Sequence, residues 1–254
     1  MEGIIDFTGK KILIAGASSG IGKQTAILLS KLGATIVMIA RRSEALQEIM
    51  KELYGEGHSF YISDLSDVGL IETLIKRIIA EQGKLDGLVY AAGINMSMPM
   101  NLFKPDKVQE VFMINYFGFI ETVRQVCKRG RYNEGMSIVG ISSVASSRGE
   151  KSHLAYSGSK AAMNSSVRCI AKEVADKGIR INTVAPAMTR TVMYSNYTES
   201  YGQDSGSNDE LLKRQYLGLV EAEDVANTIA FLLCPLSRMI TGITLPVDGG
   251  LTTS

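Results

Sequence analysis

Tryptophan is absent from this 254-residue chain, and histidine (two), cysteine (three) and proline (five) are sparse. The three cysteines, Cys127, Cys169 and Cys234, have neither CxxC nor metal-ligand spacing. That excludes a disulfide framework and a zinc site, and it reads as buried thiols in a reducing, cytoplasmic setting. No metal is expected. Excess charge is missing too: 27 basic against 26 acidic side chains leave a net +1. Such a balance offers no electrostatic footprint for nucleic acid or an anionic membrane. No apolar run is long enough to span a bilayer. Met1–Asp6 carries acidic residues, unlike a signal peptide. Internal repeats and low-complexity tracts are also absent. What remains is 45% hydrophobic and long enough for one large α/β domain or two small ones.

The first half opens with a strand, a glycine turn and a helix. Lys11–Ala15 is a short apolar run, Gly16-Ala17-Ser18-Ser19-Gly20-Ile21-Gly22 follows, and Thr25–Leu32 has helical apolar spacing closed by Gly33. In that context the glycines permit a tight turn and close backbone approach. The helix N-terminus then offers N–H groups to a pyrophosphate. Gly16, Ser18, Ser19, Gly20, Ile21 and Gly22 are therefore candidate cofactor-binding residues. The second strand, Thr35–Ala40, runs into Arg41 and Arg42, with no carboxylate before Glu44. A carboxylate there would hold the 2′-hydroxyl of NAD, whereas guanidinium groups suit the 2′-phosphate of NADP. The expected cofactor is NADP(H), and a phosphate partner also suits two cations at a helix start, which is otherwise poor ground for them. A helix from about Ser43 to Leu53 and a strand His58–Ser63 lead to Asp64-Leu65-Ser66-Asp67. Asp64 suits the adenine amino group, and Ser66 or Asp67 suits capping of the helix Val68–Gln82; both can hold. Strand Leu85–Tyr90 ends in Ala91-Ala92-Gly93, small residues that let a flat ligand lie against the backbone.

The second half carries chemistry. Met96, Met98 and Met100 lie in the loop after Gly93, either as packing or as an apolar substrate entrance. A helix is expected over Pro105–Arg129. Asn115, a poor mid-helix residue, and Gly118 predict a local distortion that frees a backbone carbonyl. A strand over Ser137–Ser142 ends at Ser143. The next helix runs to about Asp176 and holds Tyr156 and Lys160, four residues apart and so on one face. A free tyrosine has a pKa of about 10. A neighbouring ammonium lowers it, and a phenol tuned that way transfers a proton in carbonyl reduction or alcohol oxidation. Alone, the pair is as readily an ordinary exposed helix pair, so its neighbours decide. Ile179–Val184 is the sixth strand, left by Ala185-Pro186-Ala187-Met188-Thr189-Arg190-Thr191.

Together these motifs, in this order, make the chain resemble a compact short-chain dehydrogenase/reductase over essentially its whole length. The carriers are the glycine turn, Tyr90-Ala91-Ala92-Gly93, Asn115, Ser143, Tyr156-x-x-x-Lys160, Pro186–Thr191 and Thr241–Gly250. The family's serine-to-tyrosine interval selects Ser143 over Ser142. The resemblance implies one Rossmann-type α/β domain over residues 1–254, with a seven-stranded parallel sheet and helices on both faces. It implies that Tyr156 is the general acid/base, Lys160 lowers its pKa and holds the nicotinamide ribose, Ser143 polarises the carbonyl, and Asn115 holds a water in a proton relay. Asp64, Leu65, Ala92, Gly93, Pro186, Thr189 and Thr191 join the cofactor residues. Substrate would touch Ser143, Met96, His153, Met188 and Tyr194, under a lid at about 188–215 that includes Tyr197 and Tyr201.

The chain departs from the family at Ala15 and Ala91, where threonine and asparagine are usual, and at Ala187. Losing both members of a polar contact strands no partner and is expected to cost little. The implied reaction interconverts a ketone and a secondary alcohol. The substrate is a 3-oxoacyl-[acyl-carrier-protein], for which Lys177, Lys128, Arg129 and Arg131 are candidate docking residues, or a sugar, steroid or small-metabolite ketone. A non-catalytic NADP-binding regulator ranks lower because all four catalytic positions are kept. A homotetramer is also implied.

Overall fold

The computed structural model describes residues 5–195 and 212–253. Seven strands form one wholly parallel sheet: β1 (Lys11–Ala15), β2 (Thr35–Ala40), β3 (Ser59–Ile62), β4 (Leu85–Tyr90), β5 (Tyr132–Ile141), β6 (Arg180–Pro186) and β9 (Thr244–Val247). Their order is β3-β2-β1-β4-β5-β6-β9. A parallel sheet needs both faces covered, which is why its strands read as apolar runs rather than alternating ones. The period of two still sorts them. Ile12 and Ile14 of β1 enter one core, with Leu29, Leu46, Val225 and Ile229. Leu13 and Ala15 enter the other, with Ile71, Ile75, Phe119, Met163 and Val167.

The first core lies under α1 (Gly20–Lys31), α2 (Ser43–Glu52) and α7 (Ala222–Leu233). The second lies under α3 (Val68–Gln82), α5 (Gly118–Val126) and α6 (Leu154–Val174). Each fully buried Ile, Leu or Val in these layers contributes about 1.5–3 kcal/mol.

The expected Pro105–Arg129 helix is broken as Asn115 and Gly118 predict. α4 (Pro105–Phe112) passes through a π turn, Met113–Phe117, into α5. The turn is held where the Tyr90 hydroxyl donates to the Ile114 carbonyl at 2.7 Å. Gly118 has no room for a side chain, because a Cβ would stand 2.4 Å from the Leu65 carbonyl oxygen. β5 begins at Tyr132 rather than at Ser137. Its first residues pair with Leu85 before a register shift, and Gly135, at φ +78°, lets the extra chain bend out. A two-stranded pair, β7 (Thr189–Arg190) with β8 (Val220–Glu221), closes the two ends of the expected lid segment. Tyr197, Tyr201 and most of that lid lie outside the described residues. Of the cysteines, Cys127 and Cys234 are buried as expected, but Cys169 is exposed on α6.

Candidate active site

Strand order reverses between β1 and β4, and ligands of open α/β sheets bind in that crevice at the strands' carboxyl ends. There the loops after β1, β2, β3, β4, β5 and β6 line one cavity of about 640 Å³. Gly16 shows why glycine stands at the first of them. Its φ is +88°, and a Cβ would lie 2.4 Å from the Ala92 nitrogen. Here the turn is tied across to β4 by main chain alone: the Ala91 N–H donates to the Ala15 carbonyl at 2.7 Å. The missing threonine and asparagine side chains thus leave no stranded group.

α1 opens onto this crevice with no acidic residue in its first turn and no side-chain cap on its N–H groups. The Thr191 methyl lies beside Gly20, 3.3 Å from where its Cβ would stand. Such an end favours an anion. At the far wall, Arg42 donates to the Ser18 carbonyl (3.1 Å) and hydroxyl (3.2 Å), and Arg41 reaches Asp64 at 3.5 Å. Asp64 is held by the Ser66 N–H (2.9 Å) and hydroxyl (2.7 Å). These bonds and Arg41 outweigh burial and lower its carboxyl below the ordinary value. Asp67, not Ser66, stands at the start of α3, and it makes no capping bond. A narrow cleft with an anion-ready helix end and guanidinium groups at one extremity fits a dinucleotide. Gly16, Ser18, Ser19, Gly20, Ile21, Gly22, Arg41, Arg42, Asp64, Leu65, Ala92, Gly93, Pro186, Thr189 and Thr191 all line it.

The other end holds the polar cluster. Tyr156 and Lys160 sit on α6, and Ser143 follows β5. Burial pushes the Tyr156 phenol above its ordinary value; the nearby Ser143 hydroxyl pulls it down and the Glu150 charge pushes it up, and burial wins. Lys160 is 4% exposed. Its ammonium donates to the Ile141 carbonyl at 2.6 Å and lies 5.8 Å from the Tyr156 ring centre. The expected lowering of the phenol by Lys160 is therefore not the dominant effect here: the carbonyl of β5 claims the ammonium, and desolvation lowers its own pKa to about 8. Asn115 is fully buried, and its side chain is committed. It accepts from the Ile94 N–H (2.8 Å) and donates to the Ile94 carbonyl and the Ser159 hydroxyl (3.0 Å each).

His153, Met188 and Tyr194 also border the cavity, but Met96 does not. Sequence reasoning passed over Glu150 and Asn95, which do border it. Both lie in loops without periodicity, where a charge or amide reads as solvated. Lys128, Arg129 and Arg131 precede β5, and Lys177 precedes β6, so they stand at the strands' amino ends, opposite the cavity. Lys128 pairs there with Glu72 at 3.3 Å.

Comparison with known proteins agrees with this geometry. A family model described as "Enoyl-(Acyl carrier protein) reductase" matches residues 16–252. An L-xylulose reductase of Caenorhabditis elegans is 34% identical over 252 residues, covering 96% of each chain. A 3-oxoacyl-[acyl-carrier-protein] reductase of Thermotoga maritima is 31% identical over 246 residues, covering 96% of this chain and 98% of that one. A solved Brucella melitensis structure, titled a short-chain dehydrogenase/reductase of glucose/ribitol dehydrogenase type, superposes with a TM-score of 0.90. It is 27% identical and covers 98% of this chain and 99% of that one. With a seven-stranded parallel sheet, a glycine turn at its switch point and matches over nearly its whole length, the chain belongs to the short-chain dehydrogenase/reductase family of oxidoreductases.

Proposed function

We propose that the protein is an NADP(H)-dependent oxidoreductase interconverting a ketone and a secondary alcohol. The observation that carries this reading is the gathering of Ser143, Tyr156 and the buried ammonium of Lys160 on one cleft that fits a dinucleotide. When bound, the cofactor supplies a hydride to the carbonyl carbon, or accepts one in reverse. Ser143 orients the carbonyl oxygen, and Tyr156 delivers the proton to it. Lys160 keeps a cation behind the phenol and is the residue for the nicotinamide ribose. Asn115 holds the 94–95 loop and the start of α6 in register, which fits its place beside a relay through Lys160. Arg41 and Arg42, with no carboxylate at the end of β2, support NADP(H) over NAD(H).

The placement of Lys128, Arg129, Arg131 and Lys177 away from the cavity weighs against a carrier protein docked through them. Unpaired thiols support a cytoplasmic setting, and no helix among the described residues is long and apolar enough to cross a membrane. The deciding experiment is fluorescence titration with NADPH and NADH, followed by a carbonyl panel read at the nicotinamide absorbance. NADPH is expected to bind more tightly, with the preference lost in an Arg41→Ala, Arg42→Ala double variant. Tyr156→Phe is expected to lower turnover about 10²–10⁴-fold. Tighter NADH binding would reverse the cofactor assignment, and undiminished turnover in Tyr156→Phe would remove the phenol from the reaction.

A further inference from the structure

The reacting end of the cavity holds hydrogen-bond acceptors that the described protein leaves unclaimed. Glu150 borders it, and no ion pair or hydrogen bond among the described residues engages its side chain. Asn95 borders it too. Its Nδ2 approaches His153 Nε2 at 3.3 Å, while its Oδ1 is buried without a partner. The His153 ring is fixed from its other side. Nδ1 lies 2.8 Å from the Lys151 carbonyl, which only accepts, so Nδ1 carries the proton and Nε2 accepts from Asn95. The two loops are locked together where the Met98 N–H donates to the Ser152 carbonyl at 2.8 Å. Ser152 holds φ +66°, the one left-handed non-glycine residue among those described. Strain of this kind concentrates at functional sites.

A carboxylate and an amide oxygen ask for donors. A ketone flanked by hydroxyl groups brings them to the carbonyl that Ser143 and Tyr156 address. An acyl thioester brings none there, and it would leave the Asn95 oxygen unpaired and the Glu150 charge desolvated. A phosphorylated or carboxylated substrate would meet Glu150 as a like charge.

We propose that the substrate is a neutral polyhydroxy ketone, or in reverse the matching polyol, whose hydroxyl groups beside the carbonyl donate to Glu150 and Asn95. This rests on the oxidoreductase reading above. The reaction balances in the same way: the carbonyl carbon gains a hydride from reduced nicotinamide, its oxygen gains a proton through Tyr156, and a polyol and oxidised nicotinamide leave.

The test uses the full chain and two readouts. Calorimetry measures binding of a neutral pentitol to wild type, Glu150→Gln and Asn95→Ala, with melting temperatures as the check on folding. Initial rates compare a ketopentose, a simple ketone lacking the flanking hydroxyl groups, and an acetoacetyl thioester. The pentitol is expected to bind, and about tenfold more weakly in each variant. The ketopentose is expected to lead in kcat/KM, with Glu150→Gln cutting that lead about tenfold, chiefly through KM. Should Asn95→Ala fail to fold, Glu150→Gln, on a surface loop, still decides. Equal kcat/KM for ketose and simple ketone, or a lead unchanged in Glu150→Gln, overturns the substrate inference alone. Pentitol binding without reduction of any carbonyl overturns the oxidoreductase reading instead.

Discussion

Lys160 is a cation held where solvent does not reach, and the cost should be visible before any ligand binds. Desolvation lowers its ammonium from 10.5 to about 8 in the folded chain, while the unfolded chain keeps the ordinary value. Between those values the unfolded state binds more protons, so stability rises with pH there. Below about 8 both states are protonated and the full cost of burying the charge is present. Tyr156, raised by burial, acts in the opposite sense but only above its ordinary 10. In urea unfolding, the deficit of wild type relative to Lys160→Met is expected to shrink by about 2 kcal/mol between about pH 7 and about pH 9.5. A difference that does not move with pH would refute the burial argument. Spacing alone put Tyr156 and Lys160 on one face, and the structure agrees. It did not reveal that the Ile141 carbonyl takes the ammonium, because that partner comes from a strand 19 residues away in sequence. Glu150 and Asn95 escaped for a related reason: a loop has no period from which to read a direction.

At the scale of elements, the stretches that were legible are those with a repeating pattern. α3 and β4 match their expected limits, Val68–Gln82 and Leu85–Tyr90. The π turn was legible from two residues that fit a regular helix poorly, Asn115 and Gly118. The start of β5 was not, since Tyr132–Gly135 is polar and bent. Where it is described, the chain bordering the expected lid is anchored by a side chain instead. Gln215, 2% exposed, donates to the Met188 carbonyl at 3.3 Å and to the Gly218 carbonyl at 3.2 Å. It joins the far root of the expected lid to the loop that carries Met188 and Thr189. Arg190 and Glu221 pair across β7 and β8 at 2.8 Å, but in solvent, where such a pair contributes little. Gln215→Leu is therefore expected to raise KM several-fold and to cost about 1–3 kcal/mol of stability, with Arg190→Ala changing both far less. Equal effects from the two variants would show that the surface pair, not Gln215, anchors the region.

For the whole molecule, the parallel sheet fixes a polarity. The strand-end loops that line the cavity leave carboxyl ends, while Lys128, Arg129, Arg131 and Lys177 lie by the amino ends. The family likeness implies a homotetramer. Phe117 and Leu154, 45% and 49% exposed at the starts of α5 and α6, offer apolar surface for such association. Light scattering at micromolar concentration is expected to report four chains per particle, and a monomer would end that reading. The tie between the Met98 N–H and the Ser152 carbonyl has a wider consequence. It is made of main chain on both sides, so it is blind to the side chains around it. The two loops can exchange many of their side chains and still meet at the same joint. A joint built of backbone alone leaves the side chains around it free to differ while the two loops stay together.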